Sequence, residues 1–106
     1  MEHITRCEEE VLITVFRITD GASMQRIRDR VNREYGHAWQ VQTVSTFLRR
    51  LVQKGYLTMY RDGRTVYYLP EMPMEEYQRR CVGELCQVLF AGDAGAFAEC
   101  VQDIGS

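Results

Sequence analysis

The sequence predicts a mainly α-helical protein that carries one small β-hairpin. Apolar residues recur at helical spacing in several separate stretches, and only the segment 57–69 joins two β-prone runs through a turn signal. Hydrophobic residues make up 45% of the 106 positions and charged residues 26%, as in ordinary globular domains. No apolar run approaches the ~18 residues of a membrane span, so a cytoplasmic protein without membrane insertion is expected. A chain of this length leaves little room for a catalytic pocket, which disfavours an enzyme.

Two helices are predicted in the amino-terminal third. Thr5 and Glu8 have the spacing of a capping box, and apolar residues follow at helical intervals, so the first helix spans about 5–19. An Asp-Gly pair ends it. Ser23 can cap the second helix, and Gly36 stands where that helix is expected to end.

The third helix carries the most informative pattern. Its apolar residues fit one buried face without a break: Val44, Phe47, Leu48, Leu51 and Val52. Its other face, with the margins, carries hydroxyl, amide and guanidinium groups and no acid: Gln42, Thr43, Ser45, Thr46, Arg49, Arg50 and Gln53. A helix face that is only solvated usually favours Glu and Lys, so this composition indicates a binding surface.

A β-hairpin follows the third helix. Two β-prone runs, 57–60 and 65–69, flank the tetrapeptide Arg61-Asp62-Gly63-Arg64, and an Asp-Gly pair in that position is among the strongest hairpin signals. The two arginines are predicted to place positive charge at the tip of the hairpin.

The last third of the chain returns to helix. A helix is predicted from Met74 until Ala91-Gly92 breaks it, and Asp93 can cap a final short helix. The predicted domains are therefore 1–73 and 74–106. The apolar residues of the second domain are too widespread for a helix with one neighbour, and they predict a dimer interface. The interface candidates are Tyr77, Cys81, Leu85, Val88, Leu89 and Phe97.

Charge divides along the same boundary. Residues 1–73 carry eleven basic and nine acidic side chains, a net +2, whereas residues 74–106 carry two and six, a net −4. Residues 40–69 contain five basic side chains and the single acid Asp62, a net +4. This local excess favours an anionic partner, although the total of −2 does not.

Three helices followed by a hairpin, with a polar and basic third helix, form a winged helix-turn-helix. In that arrangement the third helix enters the major groove of double-stranded DNA and the wing contacts phosphates or the minor groove. The predicted DNA-binding residues are Gln42, Thr43, Ser45, Thr46, Arg49, Arg50, Lys54, Arg61 and Arg64. A winged helix that binds only protein is the alternative that this pattern leaves open.

The four cysteines follow neither C-x2-C nor C-x-C spacing, and no metal site, cofactor or nucleophile–base pair is predicted. Cys81, Cys86 and Cys100 fall among apolar neighbours, where inert buried thiols are common. A regulator that responds to thiol oxidation or to a metal stays open as the second alternative.

The segment 39–55 resembles the penicillinase-repressor (BlaI/MecI/CopY) family. The family signature W-x3-T-V-x-T-x-L-x-R-L-x-x-K-G is matched by Trp39, Thr43, Val44, Thr46, Leu48, Arg50, Leu51, Lys54 and Gly55. The resemblance implies a homodimeric repressor of a palindromic operator, of the type found in antibiotic resistance, with operator contacts at positions 42, 43, 45 and 46. It also implies a membrane sensor protease as a partner. The chain has Cys100-Val101 where resistance repressors have a scissile Asn-Phe pair, so release by cleavage there is not expected.

Overall fold

The computed structural model describes residues 2–105. The elements follow in the order α1 (Arg6–Arg17), β1 (Ala22–Ser23), α2 (Met24–Tyr35), α3 (Val41–Gln53), β2 (Leu57–Asp62), β3 (Thr65–Pro70), α4 (Met74–Phe90) and α5 (Ala94–Gly105). The predicted winged helix-turn-helix is confirmed, with three helices, a wing and two further helices. The chain separates into two compact units, an amino-terminal unit that ends at Met72 and a carboxy-terminal unit that begins at Pro73.

Local caps begin the first two helices as the sequence predicts. The Thr5 hydroxyl accepts a hydrogen bond from the Glu8 backbone N–H at 3.2 Å, and the Thr5 N–H donates to Glu8 Oε1 at 2.8 Å, which completes the capping box. The Ser23 hydroxyl accepts from the Arg26 N–H at the start of α2. Helix α1 ends at Arg17, two residues before the predicted end, and α2 ends at Tyr35, where Gly36 forms the predicted left-handed cap.

The core of the amino-terminal unit lies where α1, α2 and α3 pack together. Eight aliphatic side chains there are at most 1% exposed: Val11, Leu12, Val15, Ile27, Val31, Val44, Leu48 and Leu51. Burial of each such side chain stabilises the fold by about 1.5–3 kcal/mol. Because α3 contributes its apolar face to this core, its polar face is directed outward.

The sheet contains one strand that the sequence does not reveal. Strand β1 pairs with β3, which gives the antiparallel order β1-β3-β2. The hairpin turn is also shorter than predicted, because Asp62 pairs with Thr65 and leaves only Gly63 and Arg64 between the strands. Gly63 has a φ of +63° and Arg64 does not have a positive φ, as in a type II′ turn. Arg61 therefore lies on β2 opposite Val66 rather than at the tip, and this corrects its predicted position.

The carboxy-terminal unit consists of α4 and α5. Left-handed residues at Ala91 and Gly92 separate the two helices, and Asp93 Oδ1 accepts a hydrogen bond from the Ala96 N–H, the predicted cap of α5. Phe90 and Phe97 meet edge to face, with ring centroids 5.5 Å apart. Within residues 2–105 no single helix is long and apolar enough to cross a membrane; α4 and α5 meet that criterion only as a pair, which is bent by 103°.

Candidate nucleic-acid interface

The outward face of α3 presents the predicted base-reading residues. Gln42 and Arg49 are exposed, and Thr43, Ser45 and Thr46 are half-buried. The Thr46 hydroxyl donates to the Gln42 carbonyl at 3.0 Å, so its proton is engaged within the helix, and the methyl group and the oxygen lone pairs are left for an external contact. One amide, three hydroxyls and one guanidinium group thus lie on the outward side of a helix whose other side packs in the core.

The wing carries the other predicted cations. Arg61 shares the core-facing side of the sheet with Met59 and Tyr68, but it is exposed because the hairpin extends beyond the core. Arg64 occupies the second position of the turn and is exposed as well. Helix α3 packs against β2, so the same compact unit holds both the helix face and the wing.

The arginines of α3 and the wing are not neutralised by nearby acids. Among residues 2–105, Arg49, Arg50, Arg61 and Arg64 form no ion pair and no side-chain hydrogen bond. Six arginines elsewhere are paired with a carboxylate: Arg6, Arg17, Arg26, Arg28, Arg30 and Arg80. The positive charge available to an external anion is therefore concentrated on α3 and the wing, with Arg33 and Arg79 as the other unpaired arginines.

Lys54, which the sequence groups with these cations, has internal partners. Its Nζ donates to Glu8 Oε1 at 2.9 Å and to the His3 carbonyl at 3.1 Å. Burial raises the pKa of Glu8, but the hydrogen bond from the Thr5 N–H and the Lys54 ammonium outweigh it and hold that pKa below its usual value. Lys54 thus connects the carboxyl end of α3 to the start of α1.

The amino end of α3 is held by side-chain contacts, and the hydrogen bonds of Asn32 and His37 among them have no signal in the sequence. Asn32 on α2 donates through Nδ2 to the Trp39 carbonyl and accepts through Oδ1 from the Trp39 N–H, both at 3.0 Å. The Trp39 ring stacks on His37 at a centroid distance of 3.9 Å and contacts Phe47 of α3 at 5.1 Å. His37 Nε2 in turn shares a hydrogen bond of 2.6 Å with Glu10 Oε1 on α1. The orientation of α3 is consequently fixed at both ends.

The carboxy-terminal unit exposes much of its apolar surface. Leu85 is 49% exposed, Val88 80% and Leu89 63%. Cys81 and Phe97 are half-buried in the single chain, and Tyr77 is only 6% exposed. Three large exposed side chains were not among the predicted interface residues, namely Val82, Val101 and Ile104.

All four cysteines are free thiols. Cys7, Cys81 and Cys86 are half-buried, and Cys100 is exposed on α5, so the expectation that it is buried is wrong for the single chain. Among the described residues, no group of three or more His, Cys, Asp or Glu side chains is placed to hold a metal ion.

Comparison with known proteins relates this geometry to a family and to solved structures. A family model described as penicillinase repressor matches residues 4–103. The solution structure of Bacillus licheniformis BlaI, in its monomeric form in complex with the blaP half-operator, is similar with a TM-score of 0.58 and 24% identity, and the match covers 72% of this chain and 89% of that one. The solution structure of the DNA-binding domain of the repressor BlaI is similar with a TM-score of 0.59 and 24% identity, and the match covers 71% of this chain and 88% of that one. The complex structure of hsRosR-S1 is similar with a TM-score of 0.62 and 18% identity, and the match covers 96% of this chain and 89% of that one. No curated protein matches the chain.

Proposed function

Because the chain belongs to the penicillinase repressor family, we propose that it is a homodimeric transcriptional repressor whose α3 helices read a palindromic operator in double-stranded DNA. The family and the fold are those of transcription regulators rather than enzymes. The observation that carries the proposal is the acid-free outer face of α3 together with the unpaired arginines of α3 and the wing.

Base reading is assigned to α3. Gln42 can bond adenine through two hydrogen bonds, and Arg49 can do the same with guanine. The methyl groups of Thr43 and Thr46 suit the thymine methyl, since the Thr46 hydroxyl is already bonded to the Gln42 carbonyl. Arg50, Arg61 and Arg64 supply charge for phosphate contacts, which fix the register on the duplex without reading sequence.

Lys54 has a smaller part in this proposal than its sequence position predicts. Its ammonium is bonded to Glu8 and to the His3 carbonyl, and only 24% of its side chain is exposed. A phosphate contact by Lys54 would be limited to the third N–H of this ammonium, and its charge is already shared with a buried carboxylate. We therefore assign the phosphate contacts to the three exposed arginines.

Dimerisation is assigned to α4 and α5. A palindrome presents two half-sites about 34–36 Å apart or a multiple of that distance, and a single recognition helix fills only one of them. The exposed side chains of Leu85, Val88 and Leu89 form the kind of apolar patch that is rare on a monomer. A second copy of the chain can cover this patch through a two-fold interface.

The proposed DNA binding should depend strongly on salt. If about four to eight phosphates are neutralised per dimer, the logarithm of the binding constant should fall with the logarithm of salt concentration by about 0.9 per phosphate. Titration of a promoter fragment by fluorescence anisotropy over a salt series measures the slope. A response that is flat in salt would contradict DNA binding and favour the alternative of a winged helix that binds protein.

Helix and wing should affect binding differently. Thr46→Ala should weaken the best operator site by about 1–3 kcal/mol and leave binding to random sequence nearly unchanged. Thr46→Ser should behave like Thr46→Ala, because it keeps the hydroxyl and removes the methyl. Arg61→Ala should weaken both kinds of site and lower the salt slope by about one for each protomer, or about two for the dimer.

Arg79→Ala is the matched control for Arg61→Ala. It removes the same charge from an exposed and unpaired position in the carboxy-terminal unit, so it should leave the salt slope unchanged. Parallel titrations of an operator duplex and a scrambled duplex separate the two effects. Equal losses on both duplexes for Thr46→Ala would show that position 46 does not read sequence.

A further inference from the structure

Tyr67 on β3 packs directly against the backbone of Gly21, the residue before β1. A methyl group placed on Gly21 would lie 3.2 Å from Tyr67 Cε1 and 3.4 Å from Cδ1, and the first distance is shorter than ordinary van der Waals contact. Gly21 also has a φ of +108°, which residues with a Cβ rarely adopt. The Tyr67 ring therefore occupies space that only glycine leaves open.

Arg26 of α2 holds the backbone around Gly21 through a hydrogen bond and an ion pair. Arg26 Nη1 donates to the Gly21 carbonyl at 2.9 Å, and Arg26 Nη2 lies 2.9 Å from Asp20 Oδ1. The following residues, Ala22 and Ser23, pair with β3. The surface on which Tyr67 rests is thus part of the helix-turn-helix and not a free loop.

Tyr67 also belongs to the wing. It pairs with Tyr60 across the β2–β3 ladder, and the two rings stack with centroids 5.3 Å apart and an interplanar angle of 21°. Beyond it, Arg64 in the turn faces a cleft of about 540 Å³ that Gly21, Arg26 and Tyr67 also line. The Tyr67 ring thus contacts both the wing and the loop before α2.

We propose that Tyr67 and Gly21 are positioning residues that set the angle of the wing against α2, so that Arg64 reaches the same duplex that α3 reads. The inference rests on the proposed function, because it assigns Arg64 a DNA phosphate. Strand β1 contributes only two residues to the sheet, so without the Tyr67–Gly21 contact the wing samples a wider range of positions. The contact between Arg64 and a DNA phosphate then has to offset the entropic cost of ordering the wing, so the net contribution of Arg64 to the free energy of DNA binding falls.

A double-mutant cycle tests the coupling between position 67 and Arg64. The probe is a mixed-sequence DNA duplex at low salt, where phosphate contacts dominate. Arg64→Ala should weaken binding by the wild-type protein by about tenfold, as for loss of one charged hydrogen bond. In the background of Tyr67→Thr, which keeps a β-favouring residue, the same change should cost less than about twofold. Tyr67→Thr alone should lower the salt slope by about one for each protomer that contacts the duplex.

Tyr60→Thr is the matched control. It removes the same ring stack and leaves the Tyr67–Gly21 contact in place, so Arg64→Ala should keep its full effect in that background. Arg50→Ala on α3 should cost the same with and without Tyr67→Thr, which shows that the helix is undisturbed. Gly21→Ala disturbs the contact from the loop side and serves as the second variant if Tyr67→Thr does not fold.

The outcomes separate this inference from the proposed function. Wild-type protein that binds the duplex with a steep salt response, together with an undiminished effect of Arg64→Ala in both the Tyr67→Thr and Gly21→Ala backgrounds, overturns the positioning role alone. Wild-type protein that does not bind the duplex overturns both. Loss of coupling in Tyr67→Thr with retention in Tyr60→Thr supports the role of the Gly21 contact rather than a general effect of losing an aromatic ring.

Discussion

Lys54→Met should destabilise the protein by about 3–5 kcal/mol, a large part of the stability of a domain of this size. The Glu8 side chain is fully buried, and Lys54 Nζ is its only cationic partner among residues 2–105. Its second oxygen, Oε2, is buried without a hydrogen bond in the described part of the chain. Removal of the ammonium leaves a buried carboxylate without a counter-charge, which costs more than the ion pair itself contributes.

Urea denaturation followed by circular dichroism measures this loss. Arg50→Met is the matched control, because Arg50 is an exposed cation of α3 without an ion pair in the described structure, and a surface change of that kind costs within about 0.5 kcal/mol. Glu8→Gln combined with Lys54→Met removes both charges and should restore much of the stability. Unchanged urea resistance in Lys54→Met would show that the ammonium is not bound to Glu8 in solution.

The same pair determines how stability responds to acid. The pKa of Glu8 is lower in the folded protein than the ordinary glutamate value of 4.5, so the folded state binds this proton less readily than the unfolded state does. Its contribution is fully present above about pH 4.5 and is lost as the pH falls through the folded pKa. In the denaturation series, Glu8→Gln should therefore show a weaker dependence on pH in this acidic range than the wild type.

Elements with local signals could be predicted from the sequence. The capping box of Thr5 and Glu8, the helix end at Gly36 and the cap at Asp93 each depend on residues within a few positions of one another. The outer face of α3 could also be predicted, because helical periodicity separates the buried and exposed sides of a helix.

Features that depend on distant residues could not be read from the sequence. Strand β1 has two residues and no periodicity, and it exists because β3 offers an unpaired edge 44 to 46 residues later. The role of Lys54 depends on Glu8, 46 positions away, since only the fold shows that this carboxylate is buried. Likewise, composition places arginines on α2 and α3 alike, and only side-chain positions reveal which of them are already paired.

Leu85→Arg should convert the proposed dimer into monomers. Leu85 is half-exposed on α4 beside Leu89 and Val88, and a second copy covering this patch would bury it. Two-fold symmetry introduces the arginine twice into one interface, where each charge lacks a partner. Each unpaired buried charge costs about 3–5 kcal/mol, and the interface contains two, so the dimer dissociation constant should rise by more than about a thousandfold.

Sedimentation velocity and operator titration together test this prediction. Gln87→Arg adds the same charge at an exposed polar position of α4 and should remain dimeric. Because α3 and the wing lie in the other compact unit, Leu85→Arg should keep wild-type affinity for a single half-site. It should lose the gain of about 10²–10⁴ that linking two half-sites provides on a full palindrome. A wild-type protein that sediments as a monomer at concentrations well above those used for binding, or a Leu85→Arg variant with undiminished affinity for the palindrome, would rule out α4 and α5 as the dimer interface.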